Sequence, residues 1–233
     1  MKTSVLIFTA FTALCLTACT TEKSATANGQ TLFVEHYVRY DDEDKTIKAT
    51  ATFKIGDSLQ NAKPTAIKDG VNLNGAPLKE AKSEVGTNYN IDGPKAKFDA
   101  AYRFSFKNPL TQKLYETEFM LRQATDIVVK DGKLNKKTGG KIAWSGGALA
   151  NAEELSLRIE DSAGTNSEIN IVGSGGNTAD YDFRAGQLDE LAPGKITIYA
   201  VRTHTSRIGQ PNTAVKGSLK TQFFAQPVVA VIQ

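Results

Sequence analysis

Cysteine is almost missing from this sequence: the 233 residues hold two, Cys15 and Cys19, both near the amino end. Everything beyond residue 19 is without a thiol. That excludes a disulfide framework, a cysteine nucleophile and a thiolate zinc site in the body of the chain. Histidine is as scarce, with only His36 and His204. Both fall in separate strand-like stretches and read as solvent-facing or half-buried strand residues. Two imidazoles do not supply the three or four converging ligands that zinc needs. No run after residue 19 is apolar for long enough to cross a bilayer as a helix. Helical period is absent too, since the best segment, 148–155, amounts to about two turns. Charge of one sign is also lacking: 28 basic against 25 acidic side chains leaves +3, too little for a nucleic-acid surface.

What fills the chain instead is alternation. Residues 32–40 are rich in β-formers, and 45–55 alternates without a fault. Ile47, Ala49, Ala51, Phe53 and Ile55 face one way and Lys48, Thr50, Thr52 and Lys54 the other, as on a half-buried antiparallel strand. Asp41-Asp42-Glu43-Asp44 between them reads as a hairpin loop. Asn74-Gly75 predicts a tight turn inside 64–78, because both residues tolerate positive φ. Residues 83–97 read as a polar loop, followed by strands at 98–106, 113–122 and 127–129. The stretch 131–140, with three lysines and three glycines, reads as a linker or an exposed connection. A second series follows at 141–144, 153–161, 167–172, 180–184, 195–205, 216–224 and 228–232. Pro227 interrupts the last apolar run, as at an edge or a bulge.

Two resemblances add to this reading. Lys2, the apolar run Val5 to Leu16, and Leu16-Thr17-Ala18-Cys19 form a secretory signal that resembles the lipobox of bacterial lipoproteins. The resemblance implies cleavage after residue 18, a diacylglyceryl group on Cys19, and anchoring in the cell envelope. Thr20 in place of Asp implies the outer membrane. Removal of Lys2 would leave 28 − 1 = 27 basic against 25 acidic side chains. The polar residues 19–30 would then serve as a flexible tether. Leu191-Ala192-Pro193-Gly194-Lys195-Ile196-Thr197-Ile198 resembles the turn into a late strand of immunoglobulin-like or fibronectin type III-like modules. The tyrosine of that corner is absent, and no functional residue carries across. The expected architecture is all-β: two tandem immunoglobulin-like β-sandwiches, 31–136 and 137–233, behind a signal peptide at 1–18.

Residue types that carry chemistry are few. Trp144-Ser145-Gly146-Gly147 and Gly173-Ser174-Gly175-Gly176 lack the Gly-x-Ser-x-Gly spacing and the strand-to-helix elbow of a nucleophilic serine. Glu153 and Glu154 face opposite sides of a strand and cannot act as a pair, whereas Asp180 and Asp182 share a face and could hold a cation jointly. Asp41, Asp42, Glu43 and Asp44 crowd enough charge to hold calcium weakly, without the spaced oxygens of a dedicated loop. Asp161-Ser162-Ala163 resembles a bacterial O-glycosylation acceptor and reads equally as a hairpin turn. Aromatic residues offer a binding hypothesis in Trp144, Tyr181, Tyr37 and Tyr40, since glycan-binding sandwiches stack sugar rings on such side chains. Trp144 alternates with Ile142 and also fits a core position. Function is therefore expected to be non-catalytic: binding, adhesion or scaffolding of a protein or glycan partner by a membrane-anchored molecule, without nucleic acid or cofactor beyond the lipid. The alternative is a glycan-binding or carboxylate/metal-dependent enzyme with a site at the domain interface.

Overall fold

The computed structural model describes residues 29–176, 178–209 and 214–233. The lipobox and Cys19 lie outside the described residues, as does the tether up to residue 28. Among the described residues there is no α-helix. The first half supplies β1 (Thr31–Asp41), β2 (Thr46–Gly56), β3 (Lys63–Pro64), β4 (Val71–Leu73), β5 (Ala76–Pro77), β6 (Lys79–Ser83), β7 (Gly86–Lys95), β8 (Ala101–Lys107) and β9 (Leu114–Met120). The second supplies β10 (Thr125–Val129), β11 (Lys133–Leu134), β12 (Gly140–Ser145), β13 (Glu153–Asp161), β14 (Asn166–Val172), β15 (Asp180–Phe183), β16 (Gly194–Ile208), β17 (Val215–Phe224) and β18 (Val228–Ile232). The all-β expectation holds, with sandwich-like sheets.

One large sheet runs β11-β18-β16-β17-β1-β2-β7-β6, with β13 and β14 joined to it through β16. Two smaller sheets, β5-β4-β8-β9 and β10-β12-β15, complete the set. The alternation seen in the sequence decides which face each strand buries. Val34, Val38, Ala49, Ala51, Phe53, Phe104 and Phe106 from the first half and Ile142, Trp144, Leu155, Leu157, Ile159, Phe183, Ile196 and Ile198 from the second belong to one buried hydrophobic cluster. The pairing interleaves strands from either side of residue 137. β17, late in the chain, lies parallel to β1 from Leu32↔Val215 to Asp41↔Phe224, while β10 pairs with β12. Gly217 permits the first of these contacts, because a Cβ there would stand 1.8 Å from the Val34 carbonyl oxygen.

β16 is the hinge of the topology. β13 runs along one edge from Glu153↔His204 to Asp161↔Ile196. On the opposite edge β18 pairs with residues 194–198 and β17 with 201–208. The chain steps between those two partners through Ala225, whose N–H donates to the Ala200 carbonyl at 2.9 Å.

Two local expectations need correction. Residues 83–97 are not a loop: β7 pairs with both β2 and β6, and Tyr89 turns inward, its hydroxyl donating to the Ile67 carbonyl at 3.1 Å and accepting from the Ile67 N–H at 2.7 Å. The asparagines at 88 and 90 sit on the other face, so the polar composition hid an ordinary alternation. Residues 131–140 are not a free linker either. Leu134 is fully buried, and β11 pairs with β18. The turn at Asn74-Gly75 is present, with φ of 49° and 80°.

Candidate functional site

The aromatic residues singled out from the sequence do not form one platform. Tyr40 is buried, its ring stacked on Phe223 and edge-on to Phe98. Trp144 is 6 % exposed and spends its indole N–H on the Gly147 carbonyl at 3.1 Å. Neither can present a ring face to a ligand, and both therefore leave the binding set. They lie on inward positions of β1 and β12, where the alternation requires apolar surface. Tyr37 and Tyr181 are half-buried and held by side chains: Tyr37 donates to Gln222 at 2.7 Å, and Tyr181 shares hydrogen bonds with Gln187. Burial pushes the Tyr37 hydroxyl above its ordinary pKa, against the nearby charge of Arg39.

The acidic tip is already supplied with cations. Asp41 accepts from the N–H groups of Glu43 and Asp44 and pairs with Arg39 at 2.7 Å. Asp42 pairs with Lys45 at 2.6 Å, and that hydrogen bond holds the Lys45 ammonium above its usual pKa. Four consecutive residues that splay around a turn do not converge on a point, and calcium would have to displace both basic groups. Asp180 and Asp182 do share a cation, and it is the chain's own: Lys141 Nζ lies 3.4 and 3.3 Å from them. His204 is half-buried. His36 departs from its expected setting, being 2 % exposed against Phe53, Phe104 and Phe106, with burial depressing its pKa to about 3.

The sequence reading passed over a buried ionic node. Glu153 and Arg202 are both buried, with Arg202 Nη2 donating to Glu153 Oε2 at 2.5 Å. The same guanidinium donates to the carbonyls of Gln123, Gly146, Gly147 and Ala148. Burial would push the Glu153 carboxyl up. The Arg202 hydrogen bond, the Ala150 N–H and the charges of Arg202 and Arg122 outweigh it and hold the carboxyl below its ordinary pKa. Gly146 is required here: at φ 100° a Cβ would lie 2.3 Å from the Gln123 carbonyl oxygen. At the far end of β13, Asp161 accepts from the N–H groups of Ala192, Thr165 and Ala163, which hold its carboxyl low. That fixes the turn in which Ser162 is exposed. The signal was present in the sequence. Glu153, Asp161 and Arg202 fall in phase with the inward residues of β13 and β16, where a charge has to be paired.

A groove of about 550 Å³ lies on the outer face of the large sheet, and a hollow of about 510 Å³ lies between the acidic tip and residues 95–98. Outward side chains of β13 (Glu154, Ser156, Arg158), β14 (Glu168, Asn170) and β16 (Tyr199, Val201) line the groove. Asp41 and Glu43 from the β1–β2 tip line it as well, together with Phe224 and Pro227 where β17 gives way to β18. Arg39 stacks on the Phe224 ring at 3.7 Å, and Arg158 stands 5.7 Å from the Tyr199 centroid. Arg158 is also paired, to Glu160 at 2.6 Å. Such a groove can hold a ligand by contact and charge; the serine hydroxyl in its lining, on Ser156, donates to the Glu154 carboxylate at 3.3 Å.

No protein-family model and no curated protein matches the sequence. Among solved structures, the chain is similar to a tetra-tandem repeat from the extending region of a large adhesion protein, at 13 % identity and a TM-score of 0.29. The likeness covers 84 % of this chain and 50 % of that one. It is also similar to a structure concerned with host cell surface retention of a 1.5-MDa bacterial ice-binding adhesin, at 14 % identity and a TM-score of 0.26. There it covers 86 % of this chain and 65 % of the other. This chain thus spans half to two thirds of the length of those structures, and likeness at these scores carries no argument about function.

Proposed function

We propose that this protein is a non-catalytic, lipid-anchored protein of the bacterial cell envelope that works by binding, in adhesion or scaffolding. The observation that carries the reading is how its polar side chains are used. The buried charges of Glu153, Arg202 and Asp161 are spent on holding backbone together. The groove on the outer sheet face instead keeps an exposed aromatic ring and carboxylates open to solvent. A lipid at Cys19, held by two or three acyl chains, gives stable attachment, and the polar residues after it give the domain reach. Thr20 favours the outer membrane by its resemblance to lipoproteins of that compartment.

Two measurements test this. Fractionation of bacteria expressing the full chain should place it with the outer membrane, and Cys19→Ala should move it to the soluble fraction. Unchanged partitioning of that variant removes the anchor. A glycan array together with defined-peptide binding then decides whether the molecule binds at all; turnover of any glycan or peptide on the array would replace the binding reading with an enzymatic one.

A further inference from the structure

Charge is unevenly spread over the large sheet. On its outer face, the neighbouring strands β16, β17, β1 and β2 carry Arg207, Lys216, Lys220, Arg39, Lys48 and Lys54 against two carboxylates, Glu35 and Asp41. Register brings these side chains together. Phe33 pairs with Lys54 on one side and Lys216 on the other, Ser218 links Glu35 to Arg207, and Tyr37 pairs with Lys220. Cross-strand partners share a face, and Phe33 alternates with the buried Leu32 and Val34, so that face is the outer one. Beyond β16 the sign changes, with Glu154, Glu160 and Glu168 against Arg158 on β13 and β14. Of the six basic groups, Arg39 is matched by Asp41 and Lys48 by Asp92. Lys54, Arg207, Lys216 and Lys220 have no carboxylate partner among the described residues, and Glu35 accepts from the Thr52 hydroxyl at 3.4 Å.

The point at which the tether joins the domain says what this face meets. Thr31 lies beside Gly56 and Leu32 beside Val215, so the chain from Cys19 arrives at the end of the sheet where Phe33, Lys54 and Lys216 stand. Residues 20–30, as a flexible coil, span roughly 18 Å, which holds this end close to any bilayer that carries the anchor. The turns at the same end are apolar where turns are ordinarily polar. Leu59, between β2 and β3, is 53 % exposed, and Val85, in the β6–β7 turn, is 81 % exposed, the most of any large apolar side chain among the described residues. The β6–β7 turn rests on β3, since a Cβ at Gly86 would stand 2.6 Å from the Pro64 Cβ. Exposed in water, Val85 adds nothing to folding; at the boundary between headgroups and acyl chains it would bury its apolar surface. The opposite end of β1 and β2 differs, for its turn is the acidic run Asp41-Asp42-Glu43-Asp44.

We propose that the outer face of β16, β17, β1 and β2 docks on an anionic lipid surface. Lys54, Lys216, Arg207 and Lys220 meet the headgroups, while Leu59 and Val85 enter the headgroup boundary at the tethered end. This rests on the reading of Cys19 as a lipid anchor and deepens it: the anchor keeps the domain at the membrane, and this face sets its orientation there. Each basic side chain near an anionic bilayer contributes about fivefold in binding. That is slight for a free domain and enough for one whose tether already supplies a high local concentration of lipid.

The test uses the full chain, expressed with its anchor and reconstituted into vesicles of phosphatidylcholine alone or mixed with phosphatidylglycerol. L59C, V85C and, at the opposite end, D44C each carry a fluorescent dye; on the anchored reading no other thiol is free, because Cys15 is removed and Cys19 is acylated. With phosphatidylglycerol present, a quencher held in the bilayer should quench the dye at 59 and 85 at least about threefold more than at 44. The difference should fade as salt rises from about 0.05 to 0.5 M, as screening requires. K54Q/K216Q should lower the ratio of docked to free domain on the order of tenfold, and K95Q/K97Q, at the opposite end, should leave it unchanged. Equal quenching at 44 and 85, the same quenching on phosphatidylcholine alone, or indifference to K54Q/K216Q in a variant with wild-type melting would overturn the proposal. So would a response that grows with the protein-to-lipid ratio, which would assign the face to a second copy of the chain. Flotation of the wild-type chain with the vesicles reads the anchor separately: a chain that floats without docking keeps the anchored reading and loses this one, and a chain that does not float loses both.

Discussion

The two halves of the molecule meet the same difficulty in opposite ways. Each carries an ionisable side chain at an inward position of an alternating strand, His36 on β1 and Arg202 with Glu153 on β16 and β13. The first half discards the charge. His36 lies among Phe53, Phe104 and Phe106, neither ring nitrogen has a protein partner, and burial drives its pKa to about 3. The second half keeps the charge and surrounds it with acceptors, four carbonyls and a carboxylate for one guanidinium. Burying an ion is tolerable only with full compensation, and losing the charge is tolerable only where the neutral form packs. The sequence pattern is alike in both; the neighbours decide which solution is used.

Breaking the second solution has the largest expected effect. Glu153→Ala leaves Arg202 buried without its counter-ion and should cost about 3–5 kcal/mol, a large part of the 5–15 kcal/mol (order of magnitude) that holds a domain. Urea denaturation measures it. Replacing a buried pair by apolar residues is often nearly neutral, but E153M/R202M should not recover, because the carbonyls of Gln123, Gly146, Gly147 and Ala148 would lose their donor. A double variant as stable as wild type would show that the guanidinium is not what ties β12, β13 and β16 together.

The first solution is sharpened by pH. His36 has a folded pKa depressed from 6.5 to about 3, so the stability of the neutral, buried form is fully present above pH 6.5. It is lost as pH falls towards 3, at about 1.4 kcal/mol per pH unit, or about 2 kcal/mol by pH 5. Glu153, whose pKa is also lowered, joins this loss only below its ordinary value of 4.5. The window between 6.5 and 4.5 therefore isolates the histidine from the ionic node. His36→Leu should flatten the stability profile there while staying within about 1 kcal/mol of wild type at pH 7.5, since it removes no hydrogen bond. An acid limb that survives the substitution would assign it to other groups.

Much of the fold could be read from the chain, and the reasons for the rest are specific. β2 and β13 are legible because apolar β-formers alternate with polar residues over nine or more positions. β7 was hidden because its inward Tyr89 and Ile91 are spaced by asparagines that also favour turns. The parallel pairing of β1 with β17 joins residues some 180 apart, as in Tyr37 with Gln222, and no local pattern encodes such a partner. Glu153 and Arg202 were readable as charges at inward phase. The groove was not, because it is assembled from β1, β13, β14, β16 and the step after β17, none of which carries a motif of its own.

The smallest effect belongs to the acidic tip, where the contrast is between buried and solvated charge within a few residues. Tyr40 is sealed in the core, while the next two residues, Asp41 and Asp42, are half-buried and pair with the half-buried Arg39 and the exposed Lys45. Pairs of this kind are screened by water and salt and contribute little to stability. Because both carboxylates already have a cation and the turn spreads its oxygens, millimolar calcium should leave Tm unchanged to within about a degree. Lys45→Met should likewise leave Tm nearly unchanged while freeing Asp42, so any calcium-dependent rise should be larger in that variant than in wild type. Differential scanning fluorimetry with and without calcium reads both. A rise of several degrees in the wild-type protein would mean that the ion draws together carboxylates which the turn holds apart, and that the tip is a site the hairpin closes around its ligand.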